Sequence, residues 1–255
     1  APFETFERLS QGKAKLPPAR FASLKDFLRY LEAELLPLLS SVDAVRTILA
    51  DTLDYMIADG VTYTEMSFDF RLALGTKTPW SKLVAGWREE IALRSEKIKV
   101  SAEFGLSRET DLSVWKSEFP AAVATGFFDG IDLYGDELAR PIEAFNDFFE
   151  EARKAKLRIK IHSGEIGDAD RVLHELEYAN PEGVQHGVMA AHDPKVLAEL
   201  ARRAISVNVC PWSNIYLAVA ESYETHPIRK MLEAGVRVTV GTDDLTVFGR
   251  SVSEE

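Results

Sequence analysis

The chain has 255 residues, a formal net charge of −11 and a single cysteine, Cys210. No basic block interrupts that acidic balance. This argues against a nucleic-acid partner, whose phosphates are gripped mainly by Lys and Arg, and disfavours an anionic lipid surface. No apolar run approaches the roughly 20 residues of a membrane helix, and one thiol cannot form an internal disulfide, so a reducing, cytoplasmic setting is expected.

In chain order, residues 1–39 read as loop and helix. Ser23 is a good N-cap, with Asp26 three positions on and Phe27, Leu28 and Leu31 following. Val42, Val45, Ile48, Leu49, Leu53 and Met56 then form one apolar stripe at helical spacing, stopped at Gly60. Short runs rich in β-branched and aromatic residues predict strands over 61–70, 98–104, 127–133, 158–162, 183–188, 205–210 and 237–240. Between the later strands the helical period returns. It runs through Ile142, Phe145, Phe148, Phe149 and Ala152 after Pro141, and then over 168–178, 194–204 and 218–234.

Strands separated by helices imply parallel pairing through crossovers. No linker or low-complexity stretch divides the chain, so residues 1–255 read as one domain. An open doubly wound sheet would carry a Gly-rich phosphate loop after its first strand, and there is none. The expectation is an α/β fold of the eight-stranded TIM-barrel type, (β/α)8, lacking its first strand and last helix within this chain. Both are expected outside it, before Ala1 and after Glu255.

Barrel enzymes place their chemistry at the C-terminal ends of strands. Four such ends are unusually polar: His162-Ser163-Gly164-Glu165, His186-Gly187, Cys210-Pro211-Trp212-Ser213-Asn214 and Thr242-Asp243-Asp244. His and Asp are the nitrogen and oxygen donors of a catalytic zinc, and Glu165 lies close enough in sequence to His162 to move protons beside it. Taken singly, each has an ordinary explanation: a hydrogen-bonding His, an Asp pair at a helix start, a small buried Cys. His174, His192 and His226 read as structural. What points to function is joint occurrence at successive strand ends.

In these motifs the sequence resembles the adenosine deaminase family of zinc-dependent aminohydrolases, from about Phe21 to Phe248. The segment Asp132-Leu133-Tyr134-Gly135-Asp136-Glu137 matches a further family pattern. The resemblance implies one zinc per chain, with His162 and Asp243 as ligands. It implies that Glu165 protonates the purine ring, His186 stabilises the attacking hydroxide, Asp244 orients water and purine, and Gly135 offers its backbone amide to the ring. The reaction implied is hydrolytic deamination of an aminopurine nucleoside or base, with adenosine as the default and a small-molecule purine as partner. Oligomeric state is left open.

The family's first strand carries His-x-His, two more zinc ligands, and no such pair occurs in this chain; it is expected before Ala1. Tyr63-Thr64-Glu65-Met66-Ser67 lacks the Arg of the family's second strand, Leu245 stands where Pro is usual, and Ser163 stands where Ala is usual. These changes near the mouth bear on substrate identity. Arg71 and Arg108 fall just past strands and could meet a phosphate, but surface ion pairing is the simpler expectation. Two alternatives remain open on sequence: a catalytically silent barrel that binds a ligand or partner, and a related amide or ester hydrolase. A two-metal form with a bridging lysine is disfavoured, because residues 127–135 contain no Lys.

Overall fold

The computed structural model describes residues 1–255. Seven strands form one all-parallel sheet in sequential order: β1 (Tyr63–Asp69), β2 (Lys99–Ser107), β3 (Gly130–Tyr134), β4 (Arg158–Ser163), β5 (Gly183–His186), β6 (Ser206–Val209) and β7 (Arg237–Val240). Every pairing is parallel. The sheet curls as a partial TIM-type barrel, and all seven predicted strands are present. β1 and β7 each pair with a single neighbour.

The period-2 alternation of the strands separates two environments. One face sends Phe68, Phe104, Leu106, Ile131, Leu133, Ile159, Ile161, Val184 and Val207 into the main apolar core against the surrounding helices. The other face is polar. Ser67 donates to Asp132, Asp132 meets His162, and Lys160 bridges Glu65 and Glu103. These buried polar groups are paired across strands, as burial of charge requires.

The helices follow their sequence signals. Ser23 accepts from the Asp26 amide and opens Leu24–Tyr30. Val42–Ala58 buries Val45, Leu49 and Leu53, and ends before Gly60, whose φ is 86°. Asp168 caps Ala169–Ala179, and Pro194 sits in the first turn of Pro194–Arg202. The two longest helices to escape the sequence reading are Trp80–Ala92 and Leu112–Val123; the short helices Arg71–Thr76, Pro211–Tyr216 and Leu245–Phe248 escaped it too. Residues 218–234 are not one helix as expected: only Ile228–Glu233 is helical. The Asn214 carbonyl takes the amides of Val219 and Ala220, and Pro227 cannot continue a helix from its N-terminal side. No helix is long and apolar enough to cross a membrane.

Candidate active site

The sequence-predicted residues lie at the C-terminal edge of the sheet. Gly135 follows β3, His162 is near the end of β4 with Glu165 on the turn beyond it, His186 ends β5, and Asp243 and Asp244 follow β7. Donor atoms of His162, Glu165 and His186 lie within 4.8 Å of one another, and so do those of His186, Cys210 and Asp243. His186 is common to both groups. His162 and Asp243, the expected ligand pair, lie on either side of it and share neither group.

His186 Nε2 is 3.7 Å from Glu165 Oε2 and 4.0 Å from Asp243 Oδ2. The His162 and His186 rings are 5.0 Å apart. Asp243 Oδ2 accepts from the Ser213 hydroxyl at 2.6 Å, and Asp243 Oδ1 accepts the Asp244 amide at 2.8 Å. Asp244 also begins a short helix, its carbonyl accepting the amides of Val247 and Phe248. The helix-start explanation for the Asp pair therefore holds for the Asp244 backbone, while both Asp243 oxygens are oriented by the bonds they accept from Ser213 and the Asp244 amide.

Burial alone would lower the pKa of His162. Asp132, 3.3 Å from Nε2, outweighs it as charge and as hydrogen-bond acceptor, and with Glu165 and Asp243 raises the imidazole to about 9. The Glu165 carboxyl is pushed above the usual range, first by burial and then by Asp243, against the pull of His186 and His162. A carboxyl so placed leans toward its protonated, donating form. Cys210 is buried, and burial with Asp243 drives its thiol well above the ordinary value. It is not poised as a nucleophile.

Sequence reasoning missed the residues that hold these groups. Glu137 is fully buried. Its Oε1 accepts the amides of Glu165 (2.6 Å) and Ile166 (3.2 Å), and its Oε2 that of Gly164 (2.9 Å). Three successive N–H groups around one carboxylate form an anion nest. Arg108 is also fully buried, so the expectation of a surface ion pair is corrected. It grips Glu175 through two bonds of 2.8 and 2.9 Å and donates to the His162 carbonyl at 2.8 Å. Arg71 is held at both ends by Asp69. Arg108 is thus not free to meet a phosphate, and Arg71, about a third exposed, has its charge already countered by Asp69. The signal for Asp132 and Glu137 was in the motif around Gly135; Asp69 stands two positions before Arg71, whereas Glu175 lies too far from Arg108 in sequence to be seen.

Backbone conformation marks the same edge. His186 and Asp243 have φ of 66° and 55°, a left-handed region that costs a side-chain-bearing residue on the order of 1–3 kcal/mol. Gly135 has φ of 93°, and a Cβ there would collide with Glu109 Oε2. Glu109 lies over that glycine, bonded to the Ser107 hydroxyl and to the Asp136 amide (2.7 Å).

The donor set suits a divalent cation with nitrogen and oxygen ligands. The carboxylates that raise proton affinity at His162 favour positive charge at this spot, and Asp132 orients the imidazole as supporting carboxylates do around metal-bound histidines.

A family model described as "Adenosine deaminase" matches residues 10–255. An adenosine deaminase of Shewanella loihica is 30% identical over 263 residues, covering 100% of this chain and 77% of its own. Among solved structures, an adenine deaminase from Arthrobacter aurescens superposes with a TM-score of 0.88 at 23% identity, over 98% of this chain and 80% of that one. An amidohydrolase from Burkholderia ambifaria with bound zinc gives 0.86 at 23% identity, over 100% and 74%.

Proposed function

The chain belongs to the adenosine deaminase family and is an aminohydrolase, and from that premise we propose that it deaminates a neutral adenine-type purine, free base or nucleoside, with one zinc per chain. Residues 1–255 act as one domain in this reading. The observation that carries it is the meeting at His186 of two donor groups, His162 and Glu165 in one and Asp243 in the other, brought from β4, β5 and the end of β7.

His162 and Asp243 would hold the zinc, which the fold relative from Burkholderia ambifaria binds. When bound, zinc supplies the Lewis acidity that makes a water nucleophilic near neutral pH. The remaining work falls to side chains. Glu165, kept toward its protonated form, gives a proton to a ring nitrogen and makes the amino-bearing carbon electrophilic. His186 steadies the oxygen that adds there, Asp244 orients water and ring, and the Gly135 amide meets the ring's far edge. Water is consumed, the C–N bond breaks and ammonia leaves. The engagement of Arg71 by Asp69 and Arg108 by Glu175, with Glu109 above Gly135, supports an uncharged substrate over a phosphorylated one.

The test is turnover by the intact, zinc-loaded protein of adenine, adenosine and AMP, followed as loss of purine absorbance with ammonia release. Equimolar ammonia from base or nucleoside, with about one zinc per chain and loss of activity on chelation, is the expected result. Silence across the panel overturns the reading.

A further inference from the structure

Two buried polar residues, Asn214 and His226, line up behind His186 and end on a backbone amide. The Ile228 amide donates to His226 Nδ1 at 3.2 Å, His226 Nε2 lies 3.2 Å from Asn214 Oδ1, and Asn214 Nδ2 lies 3.3 Å from His186 Nδ1. Asn214, His186 and His226 are 0%, 2% and 5% exposed.

The chain of bonds has one possible direction. A backbone N–H can only donate, so His226 Nδ1 accepts and the ring proton of neutral His226 sits on Nε2. Burial pushes His226 below the ordinary histidine value and keeps it neutral. His226 Nε2–H then donates to the Asn214 carbonyl oxygen, which turns the amide nitrogen toward His186. That nitrogen donates to His186 Nδ1, so the proton of His186 resides on Nε2, facing Glu165 and Asp243.

We infer that Asn214 and His226 are positioning residues that fix the tautomer of His186, with the Ile228 amide as the irreversible end of the relay. The inference rests on the proposed role of His186, because a histidine acting on an attacking oxygen must present the correct nitrogen in the correct protonation state. Only the last link, from Ile228 to His226, is local in sequence: His186 ends β5, Asn214 follows β6, and His226 precedes the helix Ile228–Glu233. The non-helical path of 218–227 brings His226 to Asn214.

The experiment is side-chain nitrogen NMR on the intact protein with 15N-labelled histidine rings, alongside kinetics on the zinc-loaded form. Wild type is expected to show His186 protonated at Nε2 and bare at Nδ1. Asn214→Asp offers only acceptors, so the proton should move to Nδ1, with kcat falling about tenfold or more and KM changing little, the pattern of a lost general acid–base arrangement. His226→Ala should release the Asn214 amide to turn over and give mixed tautomers with an intermediate kcat. His226→Gln, whose amide nitrogen can still donate to Asn214, should restore most of both. A wild-type His186 protonated at Nδ1, or Asn214→Asp leaving tautomer and kcat unchanged, overturns the relay. Because the NMR readout does not need turnover, a protein with the expected tautomer and no activity toward any aminopurine overturns the proposed function and leaves the relay standing.

Discussion

Glu137 holds Glu165 by its backbone: the Glu137 carboxylate accepts the Glu165 amide at 2.6 Å and the two flanking amides besides. The residue proposed to give up a proton is thus located by an acid two residues beyond the glycine proposed to meet the substrate. Glu137→Gln replaces one acceptor oxygen with a donor that opposes the N–H groups. The expected result is a fall in kcat of about tenfold or more with KM nearly unchanged. In Glu137→Ala the nest is emptied and its amides orphaned, at about 1–3 kcal/mol per unsatisfied group. Formate should refill it and recover part of kcat in steady-state assays.

Arg108 and Glu175 are a fully buried pair. Removing either partner strands the other, so Arg108→Met or Glu175→Ala should cost about 3–5 kcal/mol in urea denaturation. The double variant Arg108→Met with Glu175→Leu should recover a large share of that loss, because no fully buried unpaired charge then remains; Arg171, which reaches Glu175 at 3.5 Å, is part-exposed.

Stability should fall as pH rises toward neutrality through Glu103. Burial first, then Asp132, raises this carboxyl to about 7, against Lys160, which contacts it and Glu65. The folded value lies above the unfolded one, so the contribution is complete below the unfolded carboxylate range and is lost progressively as pH climbs through about 7. The loss is on the order of 3 kcal/mol. Glu103→Gln should flatten this part of the profile in denaturation curves taken from pH 5 to pH 8.

Glu109 lies over Gly135 where the ring edge is proposed to bind, and it is exposed. Its charge disfavours a phosphorylated substrate there. Glu109→Gln should raise kcat/KM for AMP relative to adenosine several-fold at low salt, and the gain should shrink as ionic strength screens the charge. A salt-independent ratio, equal in both proteins, would show that Glu109 does not discriminate.

All seven strands could be read from sequence because each is short, apolar on its core face and bounded by polar or glycine residues, a pattern visible within a few positions. His162, Glu165, His186 and the Asp243-Asp244 pair were legible because they stand at predicted strand ends. Asn214, His226, Arg108 and Glu175 were not, at least in their roles. Their partners are set by how loops from different strands meet, and spacing along the chain carries no trace of that. The overlong helix over 218–234 failed for the same reason: helical period was present, but Asn214 and Pro227 decided the local path.

The left-handed backbone at His186 and Asp243 sets molecular robustness against chemistry. Glycine relaxes such positions at once. Directed evolution screened only for heat tolerance would therefore drift toward Asp243→Gly, exposed at the mouth, and not toward His186→Gly, where the loss of a buried ring bonded to Asn214 costs more than the strain it relieves, so any such campaign has to score turnover in every round.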